Sequence, residues 1–447
     1  MAKYQAYAEY KDSGVGFLGE IPEHWIVSKV KYLAPFQVGW TPPTKNDSNF
    51  IGDNLWVNIS DLKGKVINNT VKQISDKAAL EASMDITPKG SLMYSFKLSV
   101  GTVSFAGCDM YTNEAIASFL HSAKLPLSYL YYALPKFVIE NASTNIYGAN
   151  ILNQELIRNA LLVKIPYIEA EKIANFLDHE TAKIDHLIEK QKQLIELLKE
   201  KRQAVISHAV TKGLDPNVLM KDSGVEWLGE VPEHWNMAPV RRYLVEHRQG
   251  YYTTESYVDE GLKLLRITDL RDLGEINICN CPMVNESDTT HLFKLQKGDV
   301  VFARTGGAGS FGVITEDYEN LIYASYLIRF RFMNKIFEPD YLRFLFQSDS
   351  FQLSVKQNIH GGVNQNIHAE DIKNTVICAP SLSEQKEIIE YLENQCLLFE
   401  NLIYKASYSV KLMQERRTAL ISSAVTGKID VRNWQAPTVG AHTELSA

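Results

Sequence analysis

From Pro166 onward the chain runs for more than forty residues without a glycine or proline, and its apolar residues return every three or four positions. Ile173, Leu177, Glu180, Ile184, Leu187, Gln191, Leu194, Leu198, Lys201 and Val205 are spaced alternately by four and three, and seven of these ten are apolar. That is heptad spacing, which predicts a long helix with a seam in need of a partner. Ile188, Ile195 and Ile206 flank the seam and widen the stripe. The pattern returns 215 residues later as Ile388, Leu392, Gln395, Phe399, Leu402, Ala406, Ser409, Met413, Arg416 and Leu420, again with seven apolar positions. A helix of about 40 residues is roughly 60 Å long and cannot bury such a stripe alone. Two in one chain are expected to pair with each other. An intact module separates each helix from the next, so the chain must travel out and back. The expected pair is therefore antiparallel, a rigid spacer with one module at each end about a pseudo-two-fold axis. A coiled coil between two copies of the chain is the alternative.

Outside the helices, short β-type runs are punctuated by Gly, Asn and Pro, predicting strand- and loop-rich mixed α/β modules. The expected organisation is a module over 1–165, a spacer helix over 166–211, a module over 212–380, a helix over 381–427 and a tail over 428–447. The two halves are copies. Lys11 to Trp25 reads KDSGVGFLGEIPEHW and Lys221 to Trp235 reads KDSGVEWLGEVPEHW, identical at twelve of fifteen positions. KRQAVISHAVTKGLD from Lys201 returns as RRTALISSAVTGKID from Arg416. Further parallels are Trp56–Leu62 with Leu264–Leu270, Lys89-Gly90 with Lys297-Gly298, and Asn145–Gly148 with Asn358–Gly361. A period this long means duplicated domains and not a solenoid.

The 447 residues exceed one ordinary domain, and 45% apolar content is globular. The start lacks the apolar core of a signal peptide, and no apolar run approaches the roughly 18 residues of a membrane span, so a cytoplasmic protein without membrane contact is expected. Five scattered cysteines, Cys108, Cys279, Cys281, Cys378 and Cys396, argue against a disulfide framework or a metal site. The net charge of −7 is not the basic excess usual for a nucleic-acid binder. An acidic total can still leave local basic faces when long helices hold much of the acid.

Module, long helix, module, long helix, with KDSGVxxLGExPEHW opening each half, resembles the specificity subunit of type I restriction–modification enzymes. Gly39-Trp40-Thr41-Pro42-Pro43, the loop Gly361 to Ile367 and the stretch Pro380 to Ile389 add to the resemblance, which covers nearly the whole chain to about Arg432. The first copy of that last stretch, Pro166 to Ile173, is one residue shorter and lacks the Glu-Gln pair. The resemblance implies that each module is a target recognition domain reading half of a bipartite, asymmetric site in double-stranded DNA. It also implies two methyltransferase subunits docked on the helix frame and translocating restriction subunits in the full complex. S-adenosylmethionine, ATP and magnesium are expected in those partners, with no cofactor or metal in this chain.

The sequence carries no catalytic motif of its own. An adenine methyltransferase needs a Gly-rich cofactor loop and an Asp/Asn-Pro-Pro-aromatic motif, but Pro42-Pro43 follows Thr41 and Gly14-Val15-Gly16 is not kept in the second copy. A phosphate loop is missing. Glu180 to Lys183 resembles half a nuclease motif but falls on the helical pattern, where a solvated face is the plainer reading. His24 and His234 of the PEHW repeats are expected to be buried or capping residues. A coiled-coil adaptor without sequence-specific DNA binding remains the competing class.

Base contacts would come from loop side chains with suitable donors and acceptors, and phosphate contacts from Lys and Arg. In the first module the candidates are Trp40, Thr41, Lys45, Lys97, Ser99, Tyr147 and Asn150. In the second they are Arg248, Tyr251, Tyr252, Arg304, Thr305, Ser310, Gln357, Asn364 and Gln365. The first module has Arg158 alone, whereas the second carries Arg241, Arg242, Arg248, Arg266, Arg271, Arg304, Arg329, Arg331 and Arg343. Because arginine reads guanine bidentately, Arg–guanine pairs are expected in the second half-site.

Overall fold

The computed structural model describes residues 4–81, 85–144, 150–307, 309–333, 335–357 and 366–436. The chain divides into two compact units, one of residues 1–190 and 410–447 and the other of 191–409, with the division falling inside both long helices.

In unit one a five-stranded sheet runs in the order Phe36–Val38, Ile116–Phe119, Leu92–Ser95, Val103–Ala106, Val66–Ile67, antiparallel except at its last pair. A smaller sheet joins Tyr111–Thr112, Asn54–Val57 and Lys72–Ile74. The strand Leu92–Ser95 is buried at all four positions, as a central strand covered on both faces requires. The helix Leu127–Val138 closes one face with Tyr129, Leu130, Ala133, Leu134 and Phe137, all within 1% of complete burial. Ile26–Lys29 pairs with Leu161–Lys164 and so brings the ends of the module to the first long helix.

Unit two repeats the plan. Its four-stranded sheet runs Leu244–Gln249, Leu327–Phe332, Asp299–Ala303, Phe311–Val313, and a three-stranded sheet joins Met283–Val284, Leu262–Leu265 and Leu321–Tyr323. The helix Pro339–Gln347 covers the sheet, and Asn236–Pro239 pairs with Val376–Ala379. Even the anchor to the long helices is repeated. Tyr129 donates to the Val425 carbonyl at 3.3 Å, and Tyr341 donates to the Val210 carbonyl at 3.4 Å.

The long helices span Tyr167–Lys212 and Leu382–Val425. Each unit holds a stretch of both, packed antiparallel. In unit one Arg417 pairs with Asp185 at 2.8 Å, while Lys172 reaches the Arg432 carbonyl farther along the chain. In unit two Ile206, Ala209 and Val210 share a core with Ile388, Leu392 and Cys396.

The seam is not quite the one the heptad reading names. Ile173, Leu177, Ile184, Ile388, Leu392, Phe399 and Leu420 are buried, and Leu198 and Met413 are half-buried. Leu187, Leu194 and Leu402 instead face solvent, at 53%, 42% and 39% exposure. The inward line passes through Thr181, Ile188, Ile195 and Arg202 on the first helix and Cys396, Ile403, Val410 and Arg417 on the second. One track of the seam has moved by one residue, identically in both helices. Each residue turns about 100° around the helix axis, so a step of four from the shared track lands about 40° away and a step of three about 60° the other way. Apolar side chains occupy both flanks, and the flank that the modules cover is the one buried.

The repeated PEHW also has a different role from the one expected. His24 and His234 are neither buried nor capping a helix end. Their ring nitrogens pair with Glu169 at 2.8 Å and Glu384 at 3.1 Å in the first turn of each long helix. The neighbouring indoles, Trp25 and Trp235, donate to the same carboxylates at 3.0 and 2.9 Å. The first copy therefore keeps the glutamate, as Glu169, and has Ala170 where the second has Gln385. The tail is not wholly separate either, because Ile429 and Val431 are buried in unit one and Trp434 stacks edge-on against Phe176.

Candidate nucleic-acid interface

In both modules the loops after the first and third strands of the larger sheet, in sheet order, emerge from one of its ends, and the alternation of the antiparallel strands explains why. Asn150 lies instead in a separate two-stranded pair and Gln357 on a helix. In unit one the strands ending at Val38 and Ser95 finish where the strand from Ile116 begins. In unit two Gln249 and Ala303 finish where Leu327 begins. The same two backbone hydrogen bonds tie the loop roots. Trp40 N donates to Thr112 O at 2.9 Å and Phe96 N to Ala115 O at 3.0 Å; Tyr251 N donates to Tyr323 O at 2.8 Å and Arg304 N to Tyr326 O at 2.9 Å. At each first root the crossing strands leave no room for a side chain. A Cβ at Gly39 would lie 1.7 Å from Thr112 O, and one at Gly250 would lie 2.2 Å from Ala324 O.

On this common frame the side chains differ. In the first module Trp40 is partly exposed, and its carbonyl accepts the Trp56 indole N–H at 3.0 Å. Thr41 donates to Glu114, whose other oxygen lies 3.8 Å from Lys97 Nζ. Glu114 thus joins the Trp40–Thr41 loop to the Phe96–Gly101 loop. Burial opposes its ionisation, but the Thr41 hydroxyl, a backbone hydrogen bond and the Lys97 charge outweigh that and hold its carboxyl below the usual range. Lys45 and Ser99 are exposed, and the Ser99 carbonyl ties the loop by accepting from Ser95 Oγ at 2.8 Å. Asn150 is exposed opposite Thr144 in a short antiparallel pair, and Tyr147 lies outside the described residues.

In the second module Arg304, Thr305 and Ser310 form the loop after Ala303. Thr305 donates to Asn366 Oδ1 at 2.7 Å, which brings the loop to the chain just beyond Asn364 and Gln365; those two lie outside the described residues. Gln357 is exposed at the end of the helix Asp349–Gln357, and Val355 of that helix packs against Gly309. A cavity of about 510 Å³ beside Ser310 is lined by Arg271, Gln352 and Lys356 among others. Tyr251 is half-buried on Phe293, and Tyr252 is 73% exposed. Arg248 stands one residue before the end of the strand Leu244–Gln249, with Glu246 3.8 Å away.

The arginine-rich composition of this module is partly internal. Arg329 is 1% exposed and shares Glu246 with Arg331, which also grips Asp299 at 2.7 Å. Arg266 closes on Asp269 at 3.1 Å, and Arg343 pairs with Asp340 and Glu275. Four of the nine arginines therefore hold the fold. Of the rest, Arg248 and Arg304 sit on the loop end itself. Glu114 and Lys356 carried no signal in the sequence, because neither lies in a repeated block and only the fold brings them beside the loops.

A model of the type I restriction modification DNA specificity domain matches residues 22–197 and 260–401. The specificity subunit of the EcoKI type I restriction enzyme of Escherichia coli K12 is 24% identical over 443 residues, covering 94% of this chain and 92% of that one. The EcoBI specificity subunit of Escherichia coli is 24% identical over 318 residues, covering 69% of this chain and 66% of that one. The MjaVIII specificity subunit of Methanocaldococcus jannaschii is 22% identical over 420 residues, covering 92% and 95%. Among solved structures, one chain from work on the assembly and conformational transition of a type I restriction–modification system superposes with a TM-score of 0.70 at 14% identity, covering 92% of this chain and 99% of that chain. The HsdS subunit from Thermoanaerobacter tengcongensis superposes at 0.51, also 14% identical, covering 92% and 98%.

Proposed function

Because this chain belongs to the family of type I restriction–modification DNA specificity subunits, we propose that each module reads one half of a bipartite site in duplex DNA through the loop end described above. The observation that carries this reading is the shared loop frame. Two modules place equivalent loops at the same strand ends with the same backbone hydrogen bonds, yet furnish them with different side chains: Trp40, Thr41, Glu114 and Lys97 in one, Tyr251, Arg248, Arg304 and Thr305 in the other. That is the arrangement two readers of different sequences need. The paired long helices set the length of the unread spacer and offer docking faces to two methyltransferase subunits, with restriction–translocation subunits joining the cytoplasmic complex. S-adenosylmethionine, ATP and magnesium serve in those partners. Among the described residues no group of three or more His, Cys, Asp or Glu is placed to hold a metal, and no helix is long and apolar enough to cross a membrane.

Exchange of residues 30–165 for the equivalent module of another specificity subunit tests the proposal. Mapping of methylated adenines should show one half-site altered and the other kept. If both change, or neither does, independent reading is wrong. The adaptor alternative separates on binding: a DNA reader loses affinity steeply with salt and loses preference when the half-sites are scrambled.

A further inference from the structure

Resting on the reading above, we propose that Glu114 is a specificity-determining residue of the first module, its carboxylate accepting a hydrogen bond from the exocyclic amine of a cytosine in the major groove. Glu114 stands in the turn between Tyr111–Thr112 and Ile116–Phe119, where the three loops of the reading end meet. One carboxylate oxygen takes the Thr41 hydroxyl, and the other lies 3.8 Å from Lys97. A carboxylate offers about four lone-pair sites, so acceptor capacity remains, and the side chain is 48% exposed at the loop end. Ionised, it donates nothing.

An anion on this face is repelled by phosphates, so it needs a donor at a base edge. Major-groove chemistry narrows the choice. Guanine offers two acceptors there, and thymine an acceptor and a methyl group. Adenine sets its amine beside the N7 acceptor, which would oppose a carboxylate. Cytosine presents only its N4 amine. The second module lacks this group. Its equivalent position is Ser325, whose carbonyl accepts the Gln249 side-chain amide at 2.9 Å. The contact proposed for Glu114 therefore has no counterpart at the equivalent position of the second module.

The test uses the full chain assembled with its methyltransferase subunits and duplexes varied one pair at a time across the mapped site. The wild type should demand a C·G pair at one position of the first half-site, losing about tenfold or more in methylation rate on replacement. Glu114→Gln, which keeps the Thr41 contact, should relax that position alone and admit adenine there, leaving the second half-site unchanged. Glu114→Asp should keep the cytosine preference at reduced rate. Lys97→Met should weaken all sequences alike and lower the salt slope by about one. Unaltered base preference in Glu114→Gln overturns the proposal. A uniform weakening like that of Lys97→Met also overturns it, because Glu114 would then act only by positioning the lysine. If exchange of residues 30–165 leaves both half-sites intact, the reading of the loop end fails instead.

Discussion

At the scale of single residues, the repeated PEHW acquires a reason from its partner. A buried indole N–H must find an acceptor, and a carboxylate shielded from water must find donors. Glu169 meets both needs at once. It is 6% exposed and accepts from Trp25, His24 and the Tyr7 hydroxyl, the last at 2.7 Å. Burial, aided by the Glu169 charge, pushes the Tyr7 phenol far above its usual value, so its proton stays in place to donate. Glu384 has the indole and the imidazole as partners and is more open to water, at 24% side-chain exposure. Removing an acceptor strands each buried donor at about 1–3 kcal/mol. Glu169→Ala is expected to destabilise by about 2–4 kcal/mol and Glu384→Ala by clearly less, read as shifts in the urea midpoint at constant slope. Equal shifts would mean that the buried donors are not what the glutamates serve. The motif was plain in the sequence, but its partner lies 144 residues away in one copy and 149 in the other, where no local pattern points.

Helix existence and length followed from periodicity at the scale of elements, but the choice of seam did not. Leu187 and Ile188 are both apolar, as are Leu194 and Ile195, and Leu402 and Ile403, so hydropathy cannot choose between flanks 100° apart. The chosen flank is the one where module side chains, Tyr132 against Thr181 for example, meet the helix. Ile188→Ala should cost about 2–4 kcal/mol, because it opens a cavity in a packed core. Leu187→Ala should change stability by no more than about 0.5 kcal/mol. Thermal or chemical unfolding of the two variants side by side decides; a larger loss at Leu187 would return the seam to the Leu187 track.

For the molecule as a whole, the proposed ruler makes a geometric prediction. Deleting one heptad from each long helix, at positions equivalent by 215 residues, removes about 10 Å of rise, or about three base pairs of duplex. The unread gap in the methylated site should shorten by at most that amount while both half-sites keep their sequences. An unchanged gap would mean that spacing is set elsewhere.

By itself the sequence determined the duplication, the two long helices and their family likeness, because those features are written in periodicity and in recurrence at a constant offset. Only the tertiary structure decided which flank of each helix is buried, which four arginines of the second module are held in ion pairs of the fold, and that Glu114 stands between Thr41 and Lys97. Each of those depends on residues far apart in the chain meeting at an angle, and neighbouring sequence carries no record of such a meeting.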